Sequence, residues 1–227
     1  NIASKTLKYI KNGGSVLMTT NFLNGVKDND ELMAAAGYGM KKIKKVQKRM
    51  IMDFSIGDRK FGGDGYFMLG AVMEPDNVKY VKANAILNGK ELPVISSVDQ
   101  PSGGTAIVFN ARTYELSADS RDLTVSNPVF MMNMPNGAVN LLRNLALKPF
   151  KKNIIMPNGV SFYIFKKSGA EIIAFDNFND VEAAIIFSNE SSKTPVKDIL
   201  SGETFESGKK TPIVLKIPPH SIKLLKI

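Results

Sequence analysis

The chain has 227 residues, 44% of them apolar, with no cysteine, a single histidine and a formal charge of +9. That length holds one large domain or two modest ones. The missing cysteine excludes disulfides, thiolate metal sites and a thiol nucleophile, and the lone His220 leaves no room for a poly-histidine metal site. No cofactor or metal is expected. No apolar run reaches the roughly 20 residues that span a bilayer.

In chain order, Ser4 to Asn12 reads as a short helix with Leu7, Ile10 and Tyr9 turned inward, closed by Gly13-Gly14. This beginning has the look of mid-fold, so a segment upstream of Asn1 is expected. SVLMTT (15–20) is a near-continuous apolar run, as in a strand buried on both faces of a parallel sheet. Residues 21–28 read as a loop and Asp30 to Ala36 as a helix.

KKIKKVQKR carries six positive charges, at Lys41, Lys42, Lys44, Lys45, Lys48 and Arg49. Phosphate or another anionic polymer is one partner for such a run. A solvated strand or helix face with edge-protecting lysines is the plainer one. Single-strand binders interleave aromatics, and none are present here, so nucleic acid is not expected. From Lys44 to Val98 the pattern is β-like, with GDRKFGGDG as a glycine-rich loop and Asn88-Gly89 as a type I′ hairpin turn. TAIVFN reads as a second buried strand. Pro135 to Leu147 is the clearest helix, with Val139, Leu142, Leu145 and Ala146 on one side. From Gly159 the reading is all β: a hairpin about Ser168-Gly169, then VEAAIIFSNE, VKDIL, ETF and two closing strands.

Helix, GGSVLMTT strand, loop, helix, glycine-rich β-segment, hairpin, GGTAIVFN strand and NLLRNLAL helix form one recognisable order. With YIKNGGSVLMTTNFLNGVKDNDEL and YVKANAILNGKELPVISSVDQPSGGTAIVFNARTYE, it resembles the latter half of the glutamine-amidotransferase-like trimerisation domain of β-galactosidase-type glycoside hydrolases. VKDILSGETF and IPPHSIKLLKI are similar to the small β-sandwich that closes many such enzymes. The resemblance implies an α/β domain, partial and amidotransferase-like with a β-rich insertion, over 1–152, followed by an all-β sandwich over 153–227. It implies a non-catalytic accessory or oligomerisation region, partnered by itself or by an upstream catalytic domain, in a periplasmic or secreted protein. Amidotransferase chemistry needs a Cys–His pair that this chain lacks. A stand-alone carbohydrate-binding or anionic-polymer-binding module is the alternative.

Two groups of polar residues invite a site. Arg112, Glu115, Asp119 and Arg121 follow the TAIVFN strand, and in open α/β sheets ligands gather beyond strand carboxyl ends. An internal salt-bridge cluster is the competing account. Asp53, Asp58, Asp64, Glu74 and Asp76 are the densest acidic supply, near Tyr66 and Phe67, which would stack on a sugar; ordinary solubilising acids on a hairpin tip compete with that reading. DNFND (176–180) lacks the spacing of a calcium loop and reads as an Asx-rich turn. His220 reads as a capping or packing residue.

Overall fold

The computed structural model describes residues 1–39, 42–110, 134–167, 169–190, 195–207 and 211–227, without the side chains of 42–50, 67, 68, 70, 71 and 167. The chain divides into two compact units, Asn1–Pro149 and Phe150–Ile227, each described by itself.

In the first unit, α1 (Ile2–Lys11) begins where the Asn1 side chain accepts the Ala3 N–H at 2.8 Å. It buries Ala3, Leu7 and Ile10. Tyr9, expected inside, is instead exposed, and its ring lies against Gly14, where any Cβ would overlap it. Residues 20–28 are not simply a loop. The Thr19 hydroxyl accepts the Phe22 N–H at 3.1 Å and starts α2 (Thr20–Gly25), which α3 (Asp30–Ala35) follows.

The main sheet has the strand order β1-β8-β7-β6-β3-β4. Its members are β1 (Ser15–Thr19), β3 (Phe54–Ile56), β4 (Arg59–Phe61), β6 (Val81–Leu87), β7 (Lys90–Asp99) and β8 (Thr105–Phe109). β1 and β8 run parallel and every other pair in it is antiparallel. A Gly-Gly pair precedes each parallel strand, and the two pairs pack together. The Thr105 N–H donates to Gly14 O at 3.2 Å, and a Cβ on Gly104 would sit 2.0 Å from Ile10 O. Only glycine permits that approach, which sets Ser15 level with Thr105.

β8 is buried on both faces, as its unbroken apolar run predicts. Ala106 and Val108 join α1, α2 and α3, whereas Ile107 and Phe109 join α4 (Asn136–Leu147). The larger of these, Ile107, Val108 and Phe109, stabilise by about 1.5–3 kcal/mol each when fully buried. α4 packs Ala138 and Leu142, with Val139, Leu145 and Ala146 beside them, as its periodicity predicts. β1 departs from the expectation. It ends the sheet, and Leu17 remains 44% exposed although Met18 is buried. Among the described residues no strand pairs with the other edge of β1, and membership of a parallel pair does not by itself bury it.

Asn88 and Gly89 have φ values of 51° and 74°, both in the left-handed region, as a type I′ turn between β6 and β7 demands. The glycine-rich segment is not all loop, because Arg59–Phe61 forms β4 against β3. The lysine-rich run is a strand, β2 (Lys42–Ile51), paired with β5 (Phe67–Glu74) through a register shift between Lys45 and Arg49.

Tyr38 is fully buried, with its hydroxyl 2.7 Å from Ser96 Oγ. Burial pushes its phenol up to about 12; the Ser96 hydrogen bond opposes this and the Asp76 charge adds to it. The unfolded phenol titrates near 10. Between pH 10 and 12 the unfolded chain therefore loses a proton that the folded one keeps, and stability falls as pH rises. That loss amounts to roughly 2–3 kcal/mol by about pH 12. Tyr38→Phe is expected to flatten this part of the urea-midpoint-against-pH curve; an unchanged slope contradicts the assignment.

The described residues of the second unit form two antiparallel sheets. One has the order β10-β11-β16-β13-β14 and the other β15-β12-β9. The strands are β9 (Lys152–Ile155), β10 (Val160–Lys167), β11 (Ala170–Asn177), β12 (Ala183–Asn189), β13 (Val196–Asp198), β14 (Thr204–Phe205), β15 (Ile213–Ile217) and β16 (Ser221–Lys226). β12 and β15 alternate buried and exposed residues along their lengths. The sheets meet where the Phe175 ring of β11 contacts that of Phe187 of β12, edge to face at 6.3 Å. The described residues form four sheets, and the fold is β-rich.

Candidate functional site

The predicted quartet Arg112, Glu115, Asp119 and Arg121 lies outside the described residues. The strand that precedes it in the sequence is described. β8 ends at Phe109, and the next residue, Asn110, is buried with all its side-chain polar atoms bonded to backbone. Its Oδ1 accepts the Met73 N–H at 3.0 Å, and its Nδ2 donates to Met73 O at 2.6 Å and Pro93 O at 2.8 Å. Asn110 thus ties β5 and β7 to the carboxyl end of β8.

The acidic residues around the glycine-rich segment do not converge. Asp58 lies exposed in the β3–β4 turn. Asp64 accepts the Asn136 N–H at 3.1 Å, at the start of α4. Asp76 accepts the Gly39 N–H at 2.8 Å. Glu74 closes β5. Tyr66 is half-buried, and the Phe67 side chain is outside the described set.

Asp53 borders a concavity. It lines an open depression of about 410 Å³ with Lys60, Phe61, Gly62 and Ile86. Gly62 matters there, because a Cβ at that position would sit 2.5 Å from Asp53 Oδ1. On the next strands of the same sheet, Glu91 is held through both oxygens, by Ser55 Oγ at 3.2 Å and Asn84 Nδ2 at 3.1 Å. Phe61, unremarked in the sequence, is the ring this hairpin exposes. It is 40% accessible and stacks on buried Phe54 with centroids 5.0 Å apart. A second depression, about 350 Å³, is lined by Asp28, Asp30 and Glu31 with α1 residues.

In the second unit, the 176–180 segment is an Asx turn, with Asn177 Oδ1 accepting the Asn179 N–H at 3.1 Å. The Asn177 Nδ2 donates to Val181 O, Ile217 O and Pro218 O. His220, at φ 49°, places its Nε2 2.9 Å from Asp180 Oδ1. Asp198 is buried. Burial pushes its carboxyl up, but Ser201, the Leu200 N–H and Lys223 together hold it below the usual carboxylate range. Among the described residues, no group of three or more His, Cys, Asp or Glu is placed to hold a metal ion. No described helix is long and apolar enough to cross a membrane.

No protein-family model matches the chain, and no curated protein does. Among solved structures it is similar to a β-galactosidase from Bacillus circulans sp. alkalophilus, at 18% identity and a TM-score of 0.45, over 100% of this chain and 31% of that one. It is also similar to Gan42B, a GH42 β-galactosidase, at 14% identity and a TM-score of 0.41, over 99% and 29%. A third is the cold-adapted β-galactosidase from Rahnella sp. R3, at 13% identity and a TM-score of 0.46, over 100% and 30%. The chain thus spans about a third of the length of the solved structures it matches.

Proposed function

We propose that the chain is a non-catalytic accessory region of a carbohydrate-active, glycoside-hydrolase-like enzyme, with an amidotransferase-like first part and a closing β-sandwich. Its task is to present surfaces for oligomerisation or for bracing a catalytic domain, in a periplasmic or secreted protein. Among the described residues no strand pairs with the outer edge of β1, and that edge carries the reading. Strands of parallel pairs are ordinarily enclosed, and natural edges are blunted with charge, proline or a bulge. SVLMT has no charge and no proline, pairs with β8 without a bulge, and leaves Leu17 exposed. A strand of that kind supports a role in which another segment completes the sheet. The motifs that resemble β-galactosidase-type enzymes supply the carbohydrate context.

The test is turnover. The purified chain is expected to leave nitrophenyl β-galactoside and related glycosides unhydrolysed. Hydrolysis that copurifies with the chain and is lost on substituting Asp53 or Glu91 would overturn the non-catalytic reading.

A further inference from the structure

The outward face of the five-stranded sheet in the second unit is apolar, and it carries opposite charges at its two ends. Cross-strand pairing orders it in rows. One end row is Phe165, Ile172, Lys226 and Lys197; the middle row is Tyr163, Ala174 and Leu224; the other end row is Ser161, Asp176 and Ile222. Antiparallel sheets keep such a face polar when it meets only water. Here Tyr163 is 51% exposed, and Phe165 and Ile222 are each 53% exposed. The Tyr163 and Phe165 rings lie side by side on edge strand β10, 6.3 Å apart and 27° from parallel.

The charges are the more telling part. Lys197 and Lys226 are directly opposed across β13 and β16, an arrangement of like charges that costs stability. Among the described residues, neither they nor Asp176 has an ion-pair partner. The end rows are four residues apart along β11, about 14 Å.

We infer that this face docks on the same face of a second copy of the chain. A two-fold axis across the strands at Ala174 and Leu224 turns each Lys226–Lys197 end onto the other copy's Asp176 end. An axis along the strands would set lysine against lysine. The apolar middle rows then meet, as in aligned packing of two sheets. The face is self-complementary, which a two-fold interface requires. Rows spanning about 14 Å across four strands about 4.8 Å apart outline a patch well under the roughly 800 Å² per partner of a standard interface, so the pairing is weak and concentration-dependent. The inference deepens the proposed oligomerisation role and rests on it.

Sedimentation equilibrium of the full chain over a wide concentration series tests it. The wild type is expected to self-associate. Lys226→Glu and Asp176→Lys should each weaken association by about ten-fold or more, the size that like-charge contacts impose. The double variant Lys226→Glu/Asp176→Lys should recover most of the loss, because the pair is re-formed with its signs exchanged. Lys197→Glu on the neighbouring strand is a second probe should Lys226→Glu fold poorly. A wild type that stays monomeric overturns this pairing, as does association indifferent to the single variants or unrescued by the double one. The accessory reading is decided separately by turnover.

Discussion

Lys152→Ala is expected to destabilise the second unit by about 3–5 kcal/mol, the range for breaking a buried ion pair from one side. The Lys152 Nζ lies 2.6 Å from Glu171 Oε1, with the two side chains only 5% and 17% exposed. That Glu171 oxygen is buried with no other partner among the described residues, so the substitution leaves a largely buried carboxylate without its counter-charge. The cost comes from the orphaned charge more than from the lost attraction, and removing both charges separates the two. Lys152→Met/Glu171→Leu should recover much of the loss, since apolar pairs of similar volume often replace buried ion pairs without penalty. Urea unfolding followed by circular dichroism measures both variants. A single-variant cost under about 1 kcal/mol would show the pair to be solvated after all.

Asn110→Ala is expected to cost about 2–4 kcal/mol, because it leaves an N–H and two carbonyls without their partner. The side chain reproduces a strand's hydrogen bonding to Met73 and also holds Pro93 O, so the loss should be local as well as global. Amide exchange at Met73 should accelerate more than that of Val108 within β8. Equal acceleration at both would mean that Asn110 contributes only to overall stability. Asn110→Asp should not rescue, since a carboxylate cannot donate to either carbonyl.

The elements that local chemistry dictates were legible in the sequence. The β6–β7 hairpin follows from Asn88-Gly89, β8 from its unbroken apolar run, and α4 from its periodicity. The β10–β11 hairpin lies where the Ser168-Gly169 turn predicts it. Features decided by long-range pairing were not legible. Leu17 is indistinguishable in sequence from a core residue until the strand order shows that β1 has one neighbour among the described strands. α2 was hidden because its start depends on a single threonine hydroxyl in a segment without strong periodicity. β4 was hidden because three residues between glycines carry no alternation.

Site legibility divides the same way. The quartet of Arg112, Glu115, Asp119 and Arg121 follows from the rule that ligands gather at strand carboxyl ends, and it lies outside the described residues. The fixing of Glu91 by Ser55 and Asn84 needs the register of three strands, two of them joined through irregular pairing. The opposition of Lys197 and Lys226 is likewise invisible before β13 is known to lie beside β16. By contrast, the Asx character of 176–180 was readable, because a side chain bonding its own backbone two residues on needs no distant partner.

The two glycine pairs that set Ser15 level with Thr105 also bear on how the chain is made. β1 emerges from the ribosome first, yet its partner lies about ninety residues further on, a separation that makes closure slow. Until then both edges of SVLMT are free, and the segment is an aggregation hazard during synthesis. Release of β8, just after Gly103-Gly104, is the event that covers one of these edges, so a pause in translation before that point should lower the soluble yield more than one placed after it.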